Sequence, residues 1–103
     1  MQLEKDAIVR LLAKDGTAVL VDGRDTQTAS PRLRGAVWIP LSETSKAKDD
    51  GRLPMTDHNT RIFVVADTPE KARAVADSIV RDAFHNVAYF AGPASELSEL
   101  IIR

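Results

Sequence analysis

Arg61-Ile62-Phe63-Val64-Val65-Ala66, running straight into Asp67-Thr68-Pro69-Glu70-Lys71-Ala72, is the stretch that decides the fold. After Arg61 its first half is continuously apolar, the pattern of a strand in a parallel sheet whose two faces are both covered by helices. In the second half, Asp67 or Thr68 is placed to cap a helix. Pro69 suits the first turn, where its missing N–H has no helical partner to lose. Ala72, Val75, Ala76, Ile79, Val80 and Ala83 then fall on one apolar stripe, with Lys71, Arg73, Asp77, Arg81 and Asp82 over much of the remaining surface. A buried strand feeding a capped helix is half of a βαβ unit.

The same alternation extends outward in both directions. Towards the N-terminus, Ala36-Val37-Trp38-Ile39 reads as a strand closed by Pro40, and Ala18-Val19-Leu20-Val21 as a strand broken by Asp22-Gly23-Arg24-Asp25. A polar stretch with Pro31 separates the two. Leu3, Ala7, Ile8, Leu11 and Leu12 fall at helical spacing, and Asp15-Gly16 ends that helix. Between Ser42 and Thr60 the chain is polar, centred on Lys46-Ala47-Lys48-Asp49-Asp50-Gly51, and reads as an exposed connection with at most a helical turn. Beyond the central helix, Asn86-Val87-Ala88-Tyr89-Phe90 is a further strand ended by Gly92-Pro93. Residues 95–102 read as a C-terminal helix with Leu97, Leu100 and Ile101 facing inward. Strands alternating with helices imply an α/β domain with a mostly parallel central sheet flanked by helices on both faces. Ligands of such sheets bind outside the carboxyl ends of the strands, here the turns after Val21 and after Val65.

Composition narrows the chemistry. The 103 residues fit one domain, and 44% hydrophobic with 28% charged residues is a globular balance. Fourteen Lys and Arg against fifteen Asp and Glu leave a net charge of -1, with no basic excess for nucleic acid. Charges at Glu4, Lys5 and Asp6 stand where a signal peptide needs apolar residues, and no apolar run approaches a membrane span, so a soluble, cytoplasmic protein without membrane contact is expected. There is no cysteine, which excludes disulfides, thiolate metal sites and catalysis by a thiol of this chain. His58 and His85 have no metal-ligand spacing, and neither a metal nor another cofactor is expected.

Three segments carry a family resemblance. Val19-Leu20-Val21-Asp22-Gly23-Arg24-Asp25 resembles an apolar strand followed by Asp-x-Arg and an acidic residue. Arg32-Leu33-Arg34-Gly35-Ala36-Val37-Trp38-Ile39-Pro40 resembles a His-Ile-x-Gly-Ala-x-x-Ile-Pro segment with Arg32 in place of His. Phe84-His85-Asn86-Val87-Ala88-Tyr89-Phe90-Ala91-Gly92 resembles Phe-x-Asn-Val-x-x-Leu-x-Gly. In order and spacing these are similar to the rhodanese-like sulfurtransferase domains, over nearly the whole chain. The resemblance implies a rhodanese-like α/β fold, and also a cysteine at the end of the central strand, opening a Cys-x-x-x-x-Arg loop and carrying the transferred sulfur. Counting back without gaps from Phe84 sets Ala66 at the cysteine position and Lys71 at the arginine position. Pro69 replaces a frequent Gly and Leu97 a frequent Trp. The related phosphatases have a loop one residue longer than this one.

The residues of that loop decide what to expect. Alanine has no heteroatom, so Ala66 excludes nucleophilic catalysis there. Pro69 removes an N–H from the anion cradle, Asp67 and Glu70 bring carboxylates to it, and Lys71 lacks the fork of an arginine. In this reading Asp67 or Glu70 accepts the free N–H groups and the loop becomes a helix cap. The chain then reads as a catalytically inactive module with a binding, regulatory or assembly role. Asp67, Thr68, Glu70, Lys71, Arg24 and Arg32 are its candidate binding residues, and its partner is a protein, another domain or a second copy in a homodimer. Alternatives are a sulfurtransferase inactivated by Cys-to-Ala exchange or served by a partner's cysteine, and a structural dimerisation domain. For Asp22 and Arg24 a structural ion pair is the simpler reading, for Trp38 a packing role, and for Arg24, Arg32, Arg34 and Arg61 a solvated surface rather than one basic patch.

Overall fold

The computed structural model describes residues 2–26, 32–82, 84–97 and 100–101. Five parallel strands form one sheet in the order β1-β5-β4-β2-β3: β1 (Gln2–Leu3), β2 (Val19–Asp22), β3 (Val37–Trp38), β4 (Ile62–Ala66) and β5 (Val87–Pro93). Three helices connect them: α1 (Lys5–Lys14), α2 (Thr44–Asp50) and α3 (Pro69–Val80). All of β4 is buried, and its side chains alternate between two cores as strand geometry demands. Ile62, Val64 and Ala66 join Val21, Ile39, Ala72, Val75, Ala76 and Ile79 on the α2 and α3 side. Phe63 and Val65 join Ile8, Leu20, Ala88, Phe90 and Leu97 on the α1 side. This two-sided burial is why β4 is apolar without interruption.

Several elements depart from the sequence reading. The first apolar residue, Leu3, belongs to β1 and pairs with Phe90 rather than opening α1. Residues 44–50 are a full helix with a buried side, not an exposed connection: Ala47 is enclosed, Thr44 is buried, and the Thr44 Oγ1 and Ser78 Oγ hydroxyls are hydrogen-bonded at 2.7 Å across to α3. Gly51, at φ 86°, ends this helix in the left-handed region open to glycine. β5 does not stop before Gly92 but continues to Pro93, which pairs with Ala66 after an irregularity in β4 between Val64 and Ala66.

Among the described residues the expected C-terminal helix is replaced by a 3-10 turn, Ala94–Glu96, with Leu100 again in 3-10 conformation, its N–H donating to the Leu97 carbonyl at 2.9 Å. At Leu97 the backbone leaves helical space (φ -86°, ψ 62°), and the tail crosses to the 33–34 segment. There the Arg34 N–H donates to the Leu100 carbonyl at 2.7 Å and Ile101 forms an antiparallel bridge with Leu33. An isolated helix this short is marginal, and pairing gives its carbonyls partners while Leu97 still packs inward. Val80, expected on the inward stripe of α3, is 48% exposed at the edge of a cavity, while its neighbour Ile79 is fully buried in the core. Ala83, Pro31 and residues 98, 99 and 102 of the expected C-terminal helix lie outside the described residues.

Candidate functional site at the carboxyl end of the sheet

The turn after β2 is held by its own sequence. Asp22 Oδ1 accepts from the Arg24 backbone N–H at 3.1 Å and from Arg24 Nε at 2.9 Å, while Arg24 Nη2 donates to Oδ2 at 2.8 Å. Both side chains are buried. Hydrogen bonds to Asp22 hold the Arg24 guanidinium protonated more firmly than usual, against the opposing effect of burial, and the charge of Asp67 adds to this. Trp38 Nε1 donates to the Arg24 carbonyl at 2.8 Å, so the indole packs as a strut between β3 and this turn. Between the paired residues, Gly23 donates its N–H to the Val65 carbonyl at 2.7 Å. A Cβ there would stand 3.1 Å from Val75 Cγ2, so the turn approaches α3 closely enough that a side chain at this position would have to push Val75 back.

The turn after β4 is capped, but not by a carboxylate. Thr68 is the N-cap residue in extended conformation, and its Oγ1 accepts from the Lys71 N–H at 3.2 Å. A threonine hydroxyl fulfils the cap at short range, and Asp67 and Glu70 remain exposed with no hydrogen bond to their carboxylates among the described residues. The expectation that one of them supplies the helix with its own anion is therefore corrected. Ala66, just before the turn, is fully buried and packed with the α3-side core. Lys71 Nζ donates to Asp25 Oδ2 at 2.7 Å, which raises the lysine pKa above its usual value, with Asp67 contributing. This bond ties the start of α3 to the β2 turn.

The candidate residues thus divide into two groups. Arg24 and Arg32 line a cavity of about 100 Å³ with Asp22, Leu33, Ala36 and Trp38. Lys71 lines a second cavity of about 100 Å³ with Gly23, Asp25, Leu41, Ala74 and Val75. Asp67 acts electrostatically on both Arg24 and Lys71. Arg61 does not join Arg24 in a basic patch: it precedes β4, at the opposite end of the parallel sheet, with Nε 3.7 Å from Asp15 Oδ2. His58 stacks edge-on against Phe84 with centroids 4.8 Å apart, and its carbonyl accepts from the His85 N–H. Among the described residues no three His, Asp or Glu side chains gather as a metal site. No described helix is long and apolar enough to cross a membrane. Sequence reasoning missed Asp25 as the partner of Lys71 and missed Leu41, which is 51% exposed beside them. The ion pair joins residues 46 positions apart, and no local pattern announces it.

No protein-family profile matches the chain, and no curated protein sequence matches it. Solved structures do. The chain is similar to a human single-domain sulfurtransferase, TSTD1, at 19% identity and a TM-score of 0.76, covering 95% of each chain. It is similar to the rhodanese-like domain of the Anabaena sp. protein Alr3790 at 18% identity and a TM-score of 0.73, covering 95% of this chain and 73% of that one. It is also similar to the rhodanese homolog TT1651 of Thermus thermophilus at 17% identity and a TM-score of 0.70, covering 92% and 98%. At these identities the likeness is one of architecture, and the fold is rhodanese-like.

Proposed function

We propose that the chain is a rhodanese-like module that acts by binding a protein partner or a neighbouring domain, not by transferring sulfur. The observation that carries this reading is Ala66: the last residue of β4 presents a buried methyl group, and the chain has no cysteine to supply a thiol from elsewhere. Sulfur transfer needs a thiolate to attack the donor and hold the sulfur as a persulfide, and a methyl group has no lone pair to offer. The turn beyond it is equally unsuited to an anionic donor. Pro69 has no N–H, the Lys71 N–H is taken by Thr68, and the Lys71 ammonium is engaged by Asp25. Exposed carboxylates at Asp67 and Glu70 repel an incoming anion. Exposed Leu41, beside the Lys71 cavity, adds an apolar contact of the kind a protein surface uses.

A thiosulfate:cyanide sulfurtransferase assay on the purified chain tests this. No turnover above a buffer blank is expected, and robust turnover ends the proposal. Ala66→Cys separates it from the reading of an inactivated transferase. The single variant is expected to remain inactive, because the loop still lacks its N–H donor and a free cation. Turnover by Ala66→Cys alone favours the transferase. A dimeric mass by light scattering, held on dilution, identifies the partner as a second copy.

A further inference from the structure

A cavity larger than either of those at the carboxyl end lies at the other end of β4 from Ala66. It measures about 470 Å³, against about 100 Å³ for each of the two at the carboxyl end. That volume is within the range of pockets that hold small organic ligands, roughly 300–1,000 Å³. Its floor is apolar: Phe63 and Ala88 are buried beneath Leu3 and Leu11, and the half-exposed Val80 adds a further apolar wall. The polar lining includes Arg61. The Arg61 side chain is 48% exposed, its guanidinium donates no hydrogen bond among the described residues, and its contact with Asp15 is loose at 3.7 Å. Asp15 spends its other oxygen on Thr17, accepting from the backbone N–H at 3.0 Å and from Oγ1 at 2.6 Å.

From this we infer that the amino end of the sheet is a binding site for a small amphipathic carboxylate, an acid whose apolar chain lies along Phe63, Ala88 and Val80 while its carboxylate meets Arg61. An open, mainly apolar cavity, with His85 and Asn86 beside one loosely engaged guanidinium, matches that chemistry on both counts. Hydrophobic burial supplies affinity, and the planar fork of arginine is shaped for two carboxylate oxygens. The site is separate from the Ala66 turn, and its occupancy does not depend on the outcome of the sulfurtransferase assay.

Sodium octanoate titrated into the isotope-labelled full chain, followed by amide chemical shifts, tests the inference. Saturable shifts are expected at Leu11, Phe63, Val80 and Ala88, with Thr68 and Lys71 unmoved. Butyrate, which is too short, and octanol, which has no charge, are each expected to bind more weakly. Arg61→Gln is expected to weaken octanoate by roughly two- to fivefold, the range of an exposed ion pair. Asp15→Asn, which keeps the Oδ1 acceptor for Thr17, is expected to tighten it. Val80→Glu, at an exposed position, brings a like charge to the cavity and is expected to weaken octanoate roughly tenfold. Shifts that rise linearly without saturation, shifts centred elsewhere, octanol binding as well as octanoate, or indifference to both Arg61→Gln and Val80→Glu each overturn the inference.

Discussion

Arg24 and Lys71 are both cations paired with an aspartate, and their surroundings give the pairs different weight. The Asp22–Arg24 pair is buried, so removing the arginine leaves a largely buried carboxylate without its hydrogen-bonded counter-charge. Arg24→Leu is expected to destabilise the fold by about 3–5 kcal/mol in urea unfolding. The Asp25–Lys71 pair is exposed, with the lysine side chain 47% and the aspartate 71% accessible. Lys71→Ala is expected to leave the urea midpoint almost unchanged. Equal losses for the two variants refute this ranking. The sign with pH follows from the raised lysine pKa. The Lys71 contribution is complete below the ordinary value of 10.5 and disappears as pH rises through the higher folded value. The buried pair was legible in the sequence because its partners stand two residues apart on one turn. The exposed pair was not, because only the fold brings Asp25 to Lys71.

Elements meet most tightly where the β2 turn passes α3. Gly23 lets its N–H reach the Val65 carbonyl, and Val75 fills the space above it. Gly23→Ala forces its new methyl to within 3.1 Å of Val75 Cγ2 and is expected to cost about 1–3 kcal/mol. Val75→Ala alone removes core volume and is expected to cost roughly 2 kcal/mol. Together the smaller side chain makes room for the larger one, so the double variant is expected to lose less than the sum by about 0.5 kcal/mol or more. Strict additivity in a denaturation cycle disproves the contact. α3 was legible because its apolar positions recur at helical spacing, and β4 because its apolar run is unbroken. The helix at residues 44–50 was not, since it buries only Thr44 and Ala47 and its residues otherwise read as solvent-facing. The C-terminal tail misled in the opposite way: Leu97, Leu100 and Ile101 have helical spacing, yet the tail pairs with the 33–34 segment.

Across the whole molecule the parallel sheet has two unlike ends, a carboxyl end drawn together by ion pairs and an amino end with an open apolar cavity. The sequence indicated ligand chemistry only at the first, because its turns carry the polar residues, whereas the cavity is assembled from apolar residues of five elements and the loops beside them. Stability in acid depends on carboxylates distributed over the fold. The Thr17 hydroxyl and backbone N–H hold Asp15 below its usual pKa, with Arg61 adding a smaller effect. Arg52 does the same for Asp50, and also donates to Glu43 at 2.8 Å and to the Trp38 carbonyl at 2.8 Å, joining the end of α2 to β3. A carboxyl depressed in the folded state favours folding above its unfolded value of 3.8, and that contribution is lost as pH falls through the lower folded value. The urea midpoint is therefore expected to be level from neutrality to about pH 4 and to fall below it. An Asp15→Asn, Asp50→Asn double variant is expected to start lower at pH 7 and to fall less steeply in acid. If its acid slope matches that of the parent chain, the two aspartates are not the groups whose protonation loosens the fold.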